Sequence, residues 1–338
     1  MNLLIKKGKI KIRYLSITIL FTLVFFNSCR KEYILSGDGN YFGQKPPGEI
    51  PEIFAPGVIS TRYHEHSSPC ISSDLKEMFY TLSCDHGHVI MHTRLENGKW
   101  TRPAAASFSG KYSDDKARFS LDGAKLFFRS QRPFIENSEP QDEYRDWMVE
   151  RTGIEWGNPK QIIPEEVIFT HTKTRYINKT GENTGLDVYI SNCIDGRYSE
   201  PERMGYGINT DNTDAVMYID PDEKFILLAS SDRQDQIGIM DIYISFRNKE
   251  NTWSKPVNLG NKVNRPGEIS RFPSVSPDGK YLFFWSNRLN SNPDEKLLSD
   301  QELFLQRYEP WAPENGRDGD IYWVSTEIFE DLKPDEIK

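Results

Sequence analysis

One unit recurs along this chain and constrains its fold more than any other feature. Each copy runs as a Ser-Pro-Asp-Gly-like turn, an aromatic strand, a polar loop, an Asp-Ile-Tyr-like strand, and an aromatic residue followed three positions later by proline. The clearest turn and strand is Ser276-Pro277-Asp278-Gly279-Lys280-Tyr281-Leu282-Phe283-Phe284. Related copies start at Asp220-Pro221-Asp222, at Leu121-Asp122-Gly123 and, in worn form, at Ser73-Asp74-Leu75. The later strand repeats as Asp187-Val188-Tyr189, Asp241-Ile242-Tyr243 and Asp320-Ile321-Tyr322, with Asp146-Trp147-Met148 and Val89-Ile90-Met91 as variants. Trp100…Pro103, Trp156…Pro159, Tyr198…Pro201 and Trp253…Pro256 close four units. A period of about 40–60 residues means that one small sheet cannot bury its own faces and must stack on its neighbours.

The chemistry of the unit fits four short antiparallel strands. Gly accepts the positive φ of a tight turn. The Trp or Tyr supplies apolar area between sheets. Proline cannot donate to a ladder and belongs on the outermost strand. The expectation is an all-β chain, a β-propeller of four-stranded blades. Five blades are favoured, with turns near 74, 122, 172, 222 and 278; a sixth is possible over 301–311. The third unit departs from the pattern, with Thr170-His171-Thr172-Lys173-Thr174 where the turn belongs. Ring closure is expected to set 53–60 as an outer strand beside 320–326, which removes an open edge.

The Pro-Asp-Gly turns and Asp-Ile-Tyr strands resemble the repeats of the TolB-like propeller family over about residues 51–328. That resemblance implies the propeller fold and a periplasmic-side role in protein contacts, and it says little about activity.

The N-terminus reads as a targeting segment. Lys6, Lys7, Lys9, Lys11 and Arg13 precede an apolar run over 15–26, too short for an ordinary membrane span. The run ends at Phe26-Asn27-Ser28-Cys29, like a bacterial lipoprotein cleavage box. The expected organisation is a lipoprotein signal peptide over 1–28, a Gly/Pro-rich flexible tether over 29–50 starting at lipidated Cys29, and the propeller over 51–338. The expected location is the cell envelope, with the anchor in the outer membrane. Losing the five basic residues of positions 1–28 leaves 37 Lys+Arg against 50 Asp+Glu, a formal −13. An acidic domain is a poor match for nucleic acid, and no nucleic-acid partner is expected. Cys70, Cys84 and Cys193 remain; pairing about the Asp74 turn sets Cys70 opposite Phe79, which disfavours a Cys70–Cys84 disulfide.

Propeller topology sorts the loops by face. The Asp-Gly turns share one face. The loops between second and third strands, and those linking blades, share the other, called the loop face below. Arg132, Arg233 and Arg288 begin three of these loops. They are candidates to bind an anionic ligand such as an acidic sugar, or to brace carboxylates, including Asp146, Asp241 and Asp320. The bracing alternative is favoured because the feature repeats in three blades. His64, His66, His86 and His88 fall on the loop face of the first blade and form a candidate divalent-metal set, with Glu65 or Asp85 to complete it. No cofactor is expected beyond that metal. No nucleophile elbow, phosphate loop or dinucleotide fingerprint is present. Two readings follow. The leading one is a lipid-anchored, non-enzymatic propeller that binds an envelope protein or glycan. The other is a metal-dependent carbohydrate-active enzyme, a polysaccharide lyase or glycoside hydrolase, using the histidines of the first blade.

Overall fold

The computed structural model describes residues 39–61, 63–85, 87–135, 138–162, 170–181, 185–205, 207–288, 319–335 and 337. Cys29, the targeting segment, His86 and the stretch 301–311 all lie outside the described residues. The regular structure of the described chain is nearly all β, and its sheets form a five-bladed propeller.

Within a blade the strands run in sequence order. In the second blade Asp114–Phe119, Lys125–Ser130 and Arg145–Thr152 pair antiparallel in turn, and Lys160–Gln161 adds the outer edge. Blades one and four repeat that order. In blade three Arg175–Thr180, Leu186–Ser191 and Glu202–Arg203 pair antiparallel in turn. Blade five closes the ring. Its outer strand is the N-terminal Glu52–Ile53, paired with Asp320–Ser325 through Glu52↔Trp323 and Ile53↔Tyr322. The prolines stand just before the outer strands rather than within them: Pro103, Pro159, Pro201 and Pro256 each precede a two-residue strand.

The turns owe their recurrence to one hydrogen-bond pattern. Ser72, Ser120 and Ser276 each donate Oγ–H to the Asp two residues on, at 2.6 Å. Each Oγ also accepts the backbone N–H of Glu77, Lys125 or Tyr281 at 2.9–3.0 Å. The residue that follows the Asp turns back with positive φ, 68° at Gly123 and 73° at Gly279. Leu75, Lys173 and Glu223 take the same conformation without being glycine, which is why those copies read as worn.

Strand alternation then deals side chains to the two seams of each blade. Phe79 packs into the seam with blade two, beside Phe128, Trp147 and Trp156. Its neighbours Met78 and Tyr80 pack into the seam with blade five, beside Phe54, Phe283 and Trp323. Leu227 likewise faces blade five and Ile226 and Leu228 face blade three. Cys70 pairs with Phe79 in register, and Cys70, Cys84 and Cys193 are free thiols. Burial pushes the Cys70 and Cys84 thiols up to about 12, so both stay protonated.

Residues 39–50, grouped with the tether on composition, carry a packed turn at Tyr41–Gly43. Phe42 stacks on Trp100 of blade one at 4.5 Å, while Tyr41 meets Trp323 of blade five at 5.6 Å. The two rings seal the closing seam. Apolar area outweighs the Gly/Pro content around them.

Candidate functional site

Arg132, Arg233 and Arg288 point into the blades. Arg132 donates to Asp114 Oδ1 at 2.8 Å, to Ser130 Oγ at 2.8 Å and to the Phe108 carbonyl at 3.0 Å. Arg233 repeats this with Asp214 Oδ1 at 2.6 Å, Ser230 Oγ at 2.7 Å and the Gly207 carbonyl at 2.9 Å. Each guanidinium also lies over an aromatic ring, Arg132 over Phe128 and Arg233 over Tyr243. They act as braces, with their donors spent inside the fold. The carboxylates they hold start the first strand of a blade. Of the carboxylates open to them, Arg132 and Arg233 take Asp114 and Asp214 rather than the third-strand Asp146 and Asp241. In blade five Ser270 stands where the Asp belongs, and Arg288 donates to the Val263 and Lys262 carbonyls instead. Burial without a bonded carboxylate lowers Arg288 to about 10.

Three of the four candidate histidines come together near the axis on the loop face. His66 and His88 stack with ring centroids 3.9 Å apart, and His64 lies 6.1 Å from His66. Gly87 makes the approach possible. Its φ is 134°, and a Cβ there would collide with Ser113, whose Oγ accepts the His88 N–H at 2.8 Å and bonds the Tyr144 hydroxyl at 2.6 Å. Asp115 of blade two completes the group. His66, His88 and Asp115 offer ligand atoms all within 4.8 Å of one another. Burial, then the neighbouring His88, Arg271 and Lys116, pushes His66 down to about 2. Burial outweighs the Asp115 carboxylate and brings His88 down to about 4. Both imidazoles are therefore neutral at pH 7. His171 is exposed on the opposite side, 3.9 Å from Asp222.

The first strands of blades two and five bring further groups to the same place. Each of the three first strands in blades two, four and five is bulged at the same point. At the bulge Lys116 and Phe272 have φ of 56° and 52°, which turns both side chains toward the axis. Lys116 Nζ lies 4.9 Å from the Phe272 ring centre, joining blade two to blade five. Arg271 is sandwiched between Phe272 and Trp285, at 4.7 and 4.4 Å. Arg129 grips Asp115 with two bonds, at 3.0 and 2.7 Å. Further in, Arg118 donates to the Met217 carbonyl of blade four, so the axis is occupied by side chains.

The charge balance of this cluster is positive inside an acidic protein. Burial lowers Lys116 to about 8, with Arg129, Arg118 and Arg271 adding to the shift against the pull of Asp115. Burial also lowers Arg271. His66, His88 and Asp115 could hold a divalent metal with one ligand position to spare, and neutral imidazoles suit that. Against it, Arg129 already neutralises Asp115, and Lys116 and Arg271 repel a cation. The residues missed on sequence were Lys116, Arg129, Tyr144, Arg271, Phe272 and Trp285. The repeat itself hides them. Asp115, Ala215 and Arg271 occupy one position in three blades and differ in each.

Two surface cavities lie in blades three and four. One of about 310 Å³ is lined by Glu223, Arg247, Thr172 and Cys193; the other, of about 280 Å³, by Asp187 and Arg203. Their charges are paired internally. Glu223 accepts from Tyr176 and Arg247, and Arg203 holds Asp187 with two 2.8 Å bonds.

No family model matches the chain, and no curated protein matches it. Among solved structures it is similar to TolB from Acinetobacter baumannii, at 16% identity and a TM-score of 0.43, over 79% of this chain and 58% of that one. The chain thus spans under two thirds of that protein. It is similar to the catalytic domain of the Coprinopsis cinerea GH62 α-L-arabinofuranosidase at 10% identity and a TM-score of 0.43, over 84% and 99% of the two chains. A periplasmic gluconolactonase from Pseudomonas aeruginosa gives 12% identity and a TM-score of 0.36, over 64% of each. The propeller assignment rests on the chain's own five sheets.

Proposed function

We propose that this chain is a non-enzymatic binding propeller of the cell envelope, taking a glycan or protein partner at the axial end of its loop face. One observation carries the reading: side chains that do not repeat between blades converge there from blades one, two and five. Repeating residues build the scaffold, whereas convergent unique residues on a rigid scaffold are what a ligand site needs. The imidazoles support binding over acid–base chemistry. A proton carrier works best near the operating pH, and His66 and His88 sit far below it.

Lys116 favours the second reading, a carbohydrate-active enzyme. Its lowered value, about 8, is in the range of a general base, beside a three-ligand set able to hold a metal. Elemental analysis of the purified chain, with product analysis on envelope polysaccharides, separates the two. Binding without catalysis predicts substoichiometric metal and glycans of unchanged length. Stoichiometric zinc or manganese together with shortened glycans would establish the enzyme.

The same reading anchors the chain through acylated Cys29, on the strength of its basic start and apolar run. Cys29→Ser is expected to shift the chain from the membrane fraction to the soluble fraction. Continued palmitate labelling of that variant would contradict the anchor.

A further inference from the structure

Half-buried Arg271 differs from the bracing arginines of the loop face. Arg132 and Arg233 have carboxylates, and Arg288 has carbonyls. Arg271 has no hydrogen-bond or ion-pair partner among the described residues, and its Nε is fully buried. Its only contacts of note are the faces of Phe272 and Trp285. Lys116, on the facing blade, is held by a ring face in the same way. A cation taken out of water without a compensating partner is costly to a fold. Two half-buried cations in one cluster, with the Asp115 carboxylate beside Lys116 already taken by Arg129, are arranged for something outside the chain.

We propose that the half-buried cluster of Lys116 and Arg271 binds the oxyanion of an acidic sugar, a uronate carboxylate or a sulfate ester. This rests on the binding reading above and names its ligand class. The guanidinium fork suits two oxygens of one anion. The half-buried rings of Phe272 and Tyr144 border the cluster and could meet the sugar body, with His66 and His88 beside them as hydrogen-bonding groups. Bound anion supplies the negative charge that the cluster lacks, so ligand and protein relieve the same repulsion.

Calorimetric titration of the full chain in detergent tests this with four probes: a uronic-acid trimer, a sulfated disaccharide, a neutral trisaccharide and sodium sulfate. An acidic oligosaccharide is expected to bind and the neutral one is not, with affinity falling as salt rises. Binding of sodium sulfate as tight as that of the sugars would reduce the site to a bare anion hole and overturn the sugar assignment. Arg271→Met is expected to weaken acidic-sugar binding about 10- to 100-fold. Because the guanidinium lacks a partner, the same change should raise the melting temperature, by about 2–4 °C. A lower melting temperature would mark Arg271 as a structural brace, and equal binding of neutral and acidic sugars would remove the charge argument. Either result overturns the proposal. If no acidic sugar binds while an envelope extract still protects the loop face from hydrogen exchange, the ligand class falls and the binding reading survives. If the extract protects nothing there, both fall.

Discussion

Arg233→Gln is expected to destabilise the propeller by about 3–5 kcal/mol, because it strands a fully buried carboxylate. Asp214 is 0% exposed, and its Oδ1 takes bonds from both Arg233 and Ser230. Gln is shorter and uncharged, so it cannot return the lost charge. Arg132→Gln removes the partner of Asp114 in the same way, and burial there already pushes the Asp114 carboxyl up against the pull of Arg132. Arg288→Gln is expected to cost less, since Ser270 replaces the carboxylate and leaves no anion behind. The ordering Arg233 and Arg132 above Arg288, read from urea denaturation midpoints, is the check. Equal costs at all three positions would mean that packing over the aromatic rings, rather than charge pairing, sets the loss.

Glu77→Gln is the second large effect, and it has a pH signature. The Glu77 carboxylate lies in the seam between blades one and two. It accepts from His92 Nε2 at 2.9 Å, from Arg151 at 2.6 Å and from Trp156 Nε1 at 2.9 Å. Burial by itself would raise its pKa, but the three bonds and the Arg151 charge prevail and hold it at about 2. A carboxylate depressed in the folded state stabilises the fold above its unfolded pKa, about 4.3, and that stabilisation fades as pH falls toward 2. Wild type should therefore lose stability over that window more steeply than Glu77→Gln. At neutral pH the variant should be weaker by about 3 kcal/mol, the scale of a broken buried pair. Parallel stability curves for the two proteins between pH 5 and 2 would rule out Glu77 as the titrating latch.

These two devices differ in how visible they are in the amino-acid order. The recurring Ser-x-Asp turn and the alternating aromatic strand are local, so blades, face and closing strand can all be read from them. The Arg braces repeat as well, and repetition correctly favours a structural role. Their partners stay open in the sequence because Asp146, Asp241 and Asp320 recur just as regularly as Asp114 and Asp214. Only side-chain reach separates the two sets. The histidines of blade one stand out by clustering. Arg271 and Lys116 do not, because their meeting depends on a bulge that turns Lys116 and Phe272 inward across the ring. Long-range convergence of this kind leaves no spacing signal.

Hydrogen–deuterium exchange of the full chain, with and without a solubilised envelope glycan extract, tests the central claim most directly. Binding at the axial end of the loop face predicts slowed exchange in peptides around His66, His88, Asp115 and Arg271. The turns at Asp74, Asp122, Asp222 and Asp278, on the other face, should exchange as before. Protection confined to those turns, with His66, His88, Asp115 and Arg271 unchanged, would contradict the account.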